Sequence, residues 1–262
     1  MKSALPPAAY VGGKKLLARR LCGLIERVPH TAYVEPFVGM GGVFFRRRER
    51  VRREIINDYN GDVANLFRIL QRHYVALTDE LRWQVTSREH FERLRETPAE
   101  SLTDIERAIR FLYVQRLAFG GQVNGRSFNT GSARFDVVRL LPQLEAVHER
   151  LSSVTIECRP YADILTRYDG PDVLFYLDPP YWGTEDYYDA PFSREDFAVL
   201  ADILRGVSGV FLMSLNDCDG VRETFSGLHM LPVTTRYAGG VGGGSGRVRD
   251  ELVISNRPLR EV

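Results

Sequence analysis

Val173-Leu174-Phe175-Tyr176-Leu177-Asp178-Pro179-Pro180-Tyr181 is the stretch on which the fold class turns. A short apolar run broken by two prolines reads as a buried parallel strand that stops at the edge of a sheet. In open α/β sheets, ligands sit beyond the carboxyl ends of the strands. A carboxylate (Asp178), a peptide carbonyl at Pro179 stiffened by Pro180, and an aromatic ring (Tyr181) are therefore presented where chemistry is expected. The set suits a planar base with an exocyclic amine. Asp178 and the Pro179 carbonyl accept from an –NH2 group, and Tyr181, with the neighbouring Trp182, stacks on the ring. Taken alone, the tetrapeptide also fits a strand-terminating turn with a buried tyrosine.

Upstream, Tyr33-Val34-Glu35-Pro36-Phe37-Val38-Gly39-Met40-Gly41-Gly42-Val43-Phe44-Phe45 reads as strand, glycine-rich turn and helix. Its glycines let the backbone approach a ligand closely. It has neither the G-x-G-x-x-G spacing nor the Gly-Lys-Ser/Thr of a phosphate loop. An acid at the strand end, Glu35, suits a cationic ligand such as a sulfonium or ammonium better than a phosphate. An ordinary βα turn stays open for this segment alone. About twenty residues on, Arg53-Glu54-Ile55-Ile56-Asn57-Asp58 reads as a second strand ending in an acid, where nucleotide-binding α/β units hold ribose hydroxyls. Asp58 also fits a helix N-cap. Asn60 or Asp62 is available to cap the helix expected over Val63 to His73, which would leave Asp58 freer for a ligand.

Tyr10-Val11-Gly12-Gly13-Lys14, Glu35-Pro36-Phe37-Val38-Gly39-Met40-Gly41-Gly42, Asp58 and Asp178-Pro179-Pro180-Tyr181, in that order, resemble the Dam-like (D12 class) N6-adenine DNA methyltransferases. The resemblance runs from about residue 10 to residue 256. It implies a seven-stranded Rossmann-like class I methyltransferase sheet with a terminal antiparallel hairpin, plus a helical insertion. It implies S-adenosyl-L-methionine as cofactor, held by Tyr10, Gly12, Gly13, Lys14, Glu35, Pro36, Phe37, Gly39 and Gly41, with Asp58 on the ribose, Tyr161 and Asp163 near the cofactor's adenine, and Asp178 shared between cofactor and target. Asp178, Pro179, Pro180 and Tyr181 would hold a flipped adenine of double-stranded DNA. Residues 1–59 and 152–262 would form the catalytic domain, and 60–151 the target-recognition insertion.

Composition agrees with a nucleic-acid enzyme of ordinary charge. The 262 residues are 44% hydrophobic, and 35 basic against 34 acidic side chains leave a formal charge of +1. No apolar run is long enough for a bilayer and no signal peptide is expected, so a cytoplasmic protein, large enough to act as a monomer, is expected. Cys22, Cys158 and Cys218 are scattered, which suggests neither a disulfide framework nor a metal site. The arginine-rich run Arg46 to Arg53 reads as a solvated helix end, away from the site. DNA contacts are expected from polar, basic loops: Gln122, Asn124, Arg126 and Arg134 in one, Arg247 in another, with Lys14 and Trp182 beside the site.

Strands are expected at 33–36, 54–57, 154–158, 173–178, 209–215, 229–235 and 250–255, the last two as a hairpin. Helices are expected from Lys14 to Val28, from the capping box Thr103-Asp104-Ile105-Glu106 to Leu117, over Leu140 to Leu151, and from the cap at Ser193 to Leu204. His73, His90 and His148 are given no role. Three other functions share parts of this pattern: methylation of cytosine N4 or of RNA adenine, a non-enzymatic DNA binder on a decayed fold, and a dinucleotide oxidoreductase. The complete Asp178 and Glu35 motifs weigh against decay, and the missing glycine fingerprint weighs against the oxidoreductase.

Overall fold

The computed structural model describes residues 4–10, 17–118, 127–128, 135–183, 192–236 and 248–259. Its centre is a seven-stranded sheet of β1 (Ala32–Glu35), β2 (Arg53–Asn57), β3 (Thr155–Glu157), β4 (Val173–Leu177), β5 (Val210–Asn216), β6 (His229–Arg236) and β7 (Val248–Ser255). The order is β3-β2-β1-β4-β5-β7-β6. β1 to β5 run parallel, and β7 is antiparallel to both β5 and β6. This is the Rossmann-like methyltransferase sheet with its terminal hairpin, each strand end within two residues of the expected one.

β4, at the centre of the sheet, is apolar throughout because helices cover both faces. All five residues of β4 are buried. Leu174 and Tyr176 face one side with Tyr33, Ile56 and Leu212, against α1 (Ala18–Glu26), α2 (Gly61–Arg72) and α6 (Val137–Leu151). Val173, Phe175 and Leu177 face the other, against α7 (Tyr161–Tyr168), α8 (Arg194–Gly206) and α9 (Asp219–Thr224). Chain order reverses between β1 and β4, which opens a crevice at their carboxyl ends.

Between β2 and β3 the chain adds α3 (Tyr74–Leu81), α4 (Arg88–Glu96) and α5 (Asp104–Leu117) to α2 and α6. The Thr103–Glu106 and Ser193–Asp196 capping boxes form at the expected helix starts. The helical block shares one buried cluster with the sheet, through Val63, Leu66, Phe67, Leu140 and Leu144. It is thus continuous with the sheet's core rather than a separate unit. Short α4 buries only Phe91. The N-terminal segment is tied to this block: Gln115 Nε2 donates to the Ala9 carbonyl at 2.9 Å and Arg116 Nη1 to the Pro7 carbonyl at 2.6 Å.

Two expectations are corrected. The glycine turn after β1 leads not into an α-helix but into one 3₁₀ turn, Phe44–Arg46. Most of the arginine run is exposed as expected, Arg48, Arg50, Arg52 and Arg53 included, but Arg47 is 6% exposed. Its guanidinium lies 3.5 Å from the Tyr33 ring centroid and 2.9 Å from Glu54 Oε1. Arg150, from α6, donates to the same Glu54 at 2.5 and 2.7 Å and lies 4.0 Å above Phe44. A buried carboxylate needs such partners, and Glu54 recruits them from two distant elements. α1 begins at Ala18, and the start expected at Lys14 lies outside the described residues.

Candidate active site

The crevice between β1 and β4 is floored by two carboxylates. Val34 pairs with Phe175, so Glu35 ends β1 next to Tyr176, and Asp178 follows the end of β4. Glu35 is 2% exposed and accepts from the Tyr33 hydroxyl at 2.8 Å. Burial pushes its carboxyl up to about 8; the Tyr33 hydrogen bond and the Arg47 charge pull it down, and the Asp178 charge pushes it up again. The two strand-end acids therefore act on each other electrostatically. Among the described residues no cation forms an ion pair with Glu35.

The turn after Glu35 is locked to β2. Gly39 donates its N–H to Asp58 Oδ2 at 2.8 Å, and Asn60 donates its own to Oδ1 at 2.9 Å. Asn60 caps α2, as expected, by accepting from Asp62 N–H. Asp58 is not left free by this: each of its oxygens already holds a backbone N–H, and each keeps a second lone pair. Burial pushes the Asp58 carboxyl up to about 6 against those two bonds.

The turn glycines serve packing as much as access. Gly39 and Gly41 adopt φ +50° and +74°. A Cβ on Gly41 would lie 2.4 Å from the Phe45 ring, and one on Gly39 would lie 3.1 Å from the ring of Tyr10. Their bare backbone thus also admits two aromatic side chains.

Asn57, the buried last residue of β2, was not singled out in the sequence. Its side chain donates to the carbonyls of Pro36 (2.9 Å) and Arg159 (3.0 Å) and accepts from Arg159 N–H (2.9 Å). It joins the glycine turn to the start of α7. The available signal was a polar residue closing an apolar strand. Phe37 and Tyr161 lie with ring centroids 5.3 Å apart, and Phe192 packs on both. The Tyr161 hydroxyl donates to the Asp196 carbonyl at 3.2 Å. Asp163 is exposed on the first turn of α7, where its charge also complements the helix dipole.

The Asp178 loop is gripped from β5. Ser214 Oγ donates to Asp178 Oδ1 at 3.3 Å and meets the Tyr176 hydroxyl at 2.8 Å. Asn216 accepts from Trp182 N–H at 2.9 Å and donates to the Trp182 carbonyl at 3.1 Å. Pro179 is buried, and Pro180, Tyr181 and Trp182 are half-buried. Trp182, expected beside the target base, also packs on the protein. Its ring packs 5.0 Å from Phe197, and a Cβ on Gly220 of α9 would fall 2.4 Å from it. It anchors the loop on α8 and α9.

Gly12, Gly13, Lys14, Gln122, Asn124, Arg126, Arg134 and Arg247 lie outside the described residues. At the base of the 120–135 segment, Ala118 and Phe128 form an isolated antiparallel bridge, and the Phe128 ring packs 5.3 Å from Phe91.

The chain matches known proteins in sequence. The family described as D12 class N6 adenine-specific DNA methyltransferase matches residues 10–238. The DNA adenine methylase of Escherichia coli (strain K12) is 30% identical over 243 residues, covering 86% of each chain. The DNA adenine methylase of Vibrio cholerae serotype O1 (strain ATCC 39315 / El Tor Inaba N16961) is 30% identical over 246 residues, covering 86% of this chain and 87% of that one. The type II methyltransferase M1.LlaDCHI of Lactococcus lactis subsp. cremoris is 26% identical over 276 residues, covering 96% and 95%.

Proposed function

Because the chain belongs to the D12 class of N6 adenine-specific DNA methyltransferases, we propose that the crevice between β1 and β4 binds S-adenosylmethionine on its β1 side and an adenine flipped out of duplex DNA on its β4 side. The chain is a DNA methyltransferase acting on the N6 amine of adenine. The observation that carries the site assignment is the pair of electrostatically coupled carboxylates, Glu35 and Asp178, at the point where strand order reverses.

The chain's residues fit the cofactor. Glu35 is a buried acid with no ion-paired cation among the described residues, so a cationic ligand would relieve its desolvation. Asp58 keeps lone pairs for ribose hydroxyls. Phe37 and Tyr161 offer aromatic surface to an adenine ring. S-adenosylmethionine supplies an electrophilic methyl group on a sulfonium.

The rest of the chemistry belongs to the protein. Adenine N6 is a weak nucleophile because its lone pair is delocalised into the ring. Asp178 and the Pro179 carbonyl accept its two N–H bonds and favour a more tetrahedral nitrogen. Positioning and fixed electrostatics then do most of the work. Tyr181 stacks on the base, which leaves the duplex because a paired adenine cannot reach a carboxylate set in the crevice. The segments carrying Gln122, Asn124, Arg126, Arg134 and Arg247, together with Lys14, are our candidates for DNA contacts.

The test is methyl transfer from labelled S-adenosylmethionine to unmethylated duplex DNA, with nucleoside analysis. Wild-type protein yields N6-methyladenine. Asp178→Ala loses transfer by a factor on the order of a thousand while cofactor affinity stays within a few-fold. Full activity in that variant refutes the assignment of Asp178.

A further inference from the structure

We propose that Tyr33 and Arg47 are positioning residues for cofactor binding: the Tyr33 hydroxyl, with the Arg47 guanidinium stacked on its ring, holds the Glu35 carboxylate in place and in its charged form for the cofactor's cation. The proposal rests on Glu35 receiving that cation.

Three observations support it. First, the buried charges beneath the crevice do not cancel. Arg47, Glu54 and Arg150 are each no more than 6% exposed. Arg47 Nη1 and Arg150 Nη2 lie 2.9 and 2.7 Å from the same Glu54 oxygen. Two guanidinium groups on one carboxylate leave an excess of one positive charge, and a buried charge favours a compensating one. Both arginines favour the ionised form of Glu35, itself 2% exposed. Second, one side chain joins that excess charge to Glu35. The Arg47 guanidinium lies 3.5 Å from the Tyr33 ring centroid, and the Tyr33 hydroxyl donates to Glu35 Oε2 at 2.8 Å. Tyr33 and Glu35 are two residues apart and so share a face of β1. Burial keeps the Tyr33 hydroxyl protonated, hence a donor. A cation against the ring draws electron density from it and strengthens that donor. Third, the other groups in electrostatic reach of Glu35 do not help it ionise. The Asp178 charge, beyond β4, opposes it. Cys22 of α1 is pushed up to about 11 and the Tyr176 hydroxyl of β4 is pushed up too, so both stay neutral. Burial opposes ionisation most, and Tyr33 and the two arginines are what counter it.

The experiment measures S-adenosylmethionine affinity by calorimetric titration from pH 6 to pH 9, with thermal stability, in wild type, Glu35→Gln, Tyr33→Phe, Arg47→Met and the double variant Glu35→Gln/Tyr33→Phe. Tyr33→Phe keeps the ring and removes only the hydroxyl; Arg47→Met leaves Glu54 paired with Arg150. Either change raises the Glu35 carboxyl further, so the charged form is reached only at higher pH. For a rise of about one pH unit, the Kd of Tyr33→Phe should exceed that of wild type about tenfold at pH 6, about fivefold at pH 8 and about twofold at pH 9. Arg47→Met should follow the same course, and Tyr33→Phe decides the matter if Arg47→Met does not fold. The cofactor's own titration cancels in these ratios. A merely structural role weakens binding by one factor at every pH. A ratio of Tyr33→Phe to wild type that is constant from pH 6 to pH 9 therefore overturns the proposal. So does a double variant in which Tyr33→Phe still adds pH dependence, because no acid remains there for the hydroxyl to act on. If Glu35→Gln itself binds as wild type does at every pH, the underlying contact fails instead, and the same series tells the two failures apart.

Discussion

Glu35 makes cofactor binding depend on pH, with a sign and size that follow from its burial. Its carboxyl is pushed up to about 8, so at pH 7 roughly ten molecules in eleven carry the proton. A cationic ligand needs the ionised form. Removing the proton at pH 7 then costs about 1.4 kcal/mol, and binding releases close to one proton. The dissociation constant of S-adenosylmethionine should fall about ninefold from pH 6 to 7, about fivefold from pH 7 to 8, and little above pH 8. Calorimetric titration at these pH values, in buffers of differing ionisation enthalpy, reads both the affinity and the proton. Glu35→Gln removes the titrating group, so its affinity should be weaker at pH 8 and flatter below it. The ligand's own amino group titrates against both proteins and cancels in their ratio. A ratio that does not change between pH 6 and pH 8 refutes the contact between Glu35 and the cation. Stability of the unliganded protein runs the other way. Between the ordinary carboxyl value of 4.5 and about 8 the folded chain binds more protons at Glu35 than the unfolded chain. This group's contribution therefore declines as pH rises through that window.

Three further outcomes are expected. Asp58→Ala frees the Gly39 and Asn60 N–H groups and removes the ribose acceptor, so cofactor affinity should drop by about tenfold or more in a binding titration, with DNA affinity retained. Glu54→Ala leaves Arg47 and Arg150 buried without their carboxylate and should cost about 3–5 kcal/mol in denaturant unfolding; replacing all three residues by apolar ones of similar volume should restore most of that loss. Gly220→Ala drives a methyl group into the Trp182 ring and should cost about 1–3 kcal/mol, while lowering the transfer rate because the Asp178 loop loses its anchor. A stable, fully active Gly220→Ala would show that Trp182 does not hold the loop.

The strands and their direction were legible because their signals are local. Val173 to Leu177 is apolar at every position and closes on two prolines, Glu35 ends β1, and Asp58 directly follows β2. The caps at Thr103 and Ser193 rest on residues three apart. α3 and α4 were not legible individually: they are short, and α4 buries one side chain. Arg47 misled because a charged run normally stays in water, as Arg48, Arg50, Arg52 and Arg53 do. Nothing near them in sequence shows that Glu54 has a second partner, Arg150, ninety-six positions away. The neighbours of Trp182 were hidden for a similar reason: only the packing of α8 and α9 supplies Phe197 and Gly220.

By itself, the sequence determined the parallel sheet, the two acids at its carboxyl edge, the glycine turn and the chemistry those groups suit, because hydrophobic run length, proline, glycine and strand-end residue type act within a few positions of the backbone. Tertiary structure alone decided which side chains complete the site. Asn57 ties the glycine turn to α7, and Ser214 holds Asp178 from thirty-six positions away. Those pairings depend on strand order: β4 lies between β1 and β5, so its terminal carboxylate meets an acid on one side and a hydroxyl on the other. Contacts across a sheet follow from which strands are neighbours, and local sequence pattern leaves that order open.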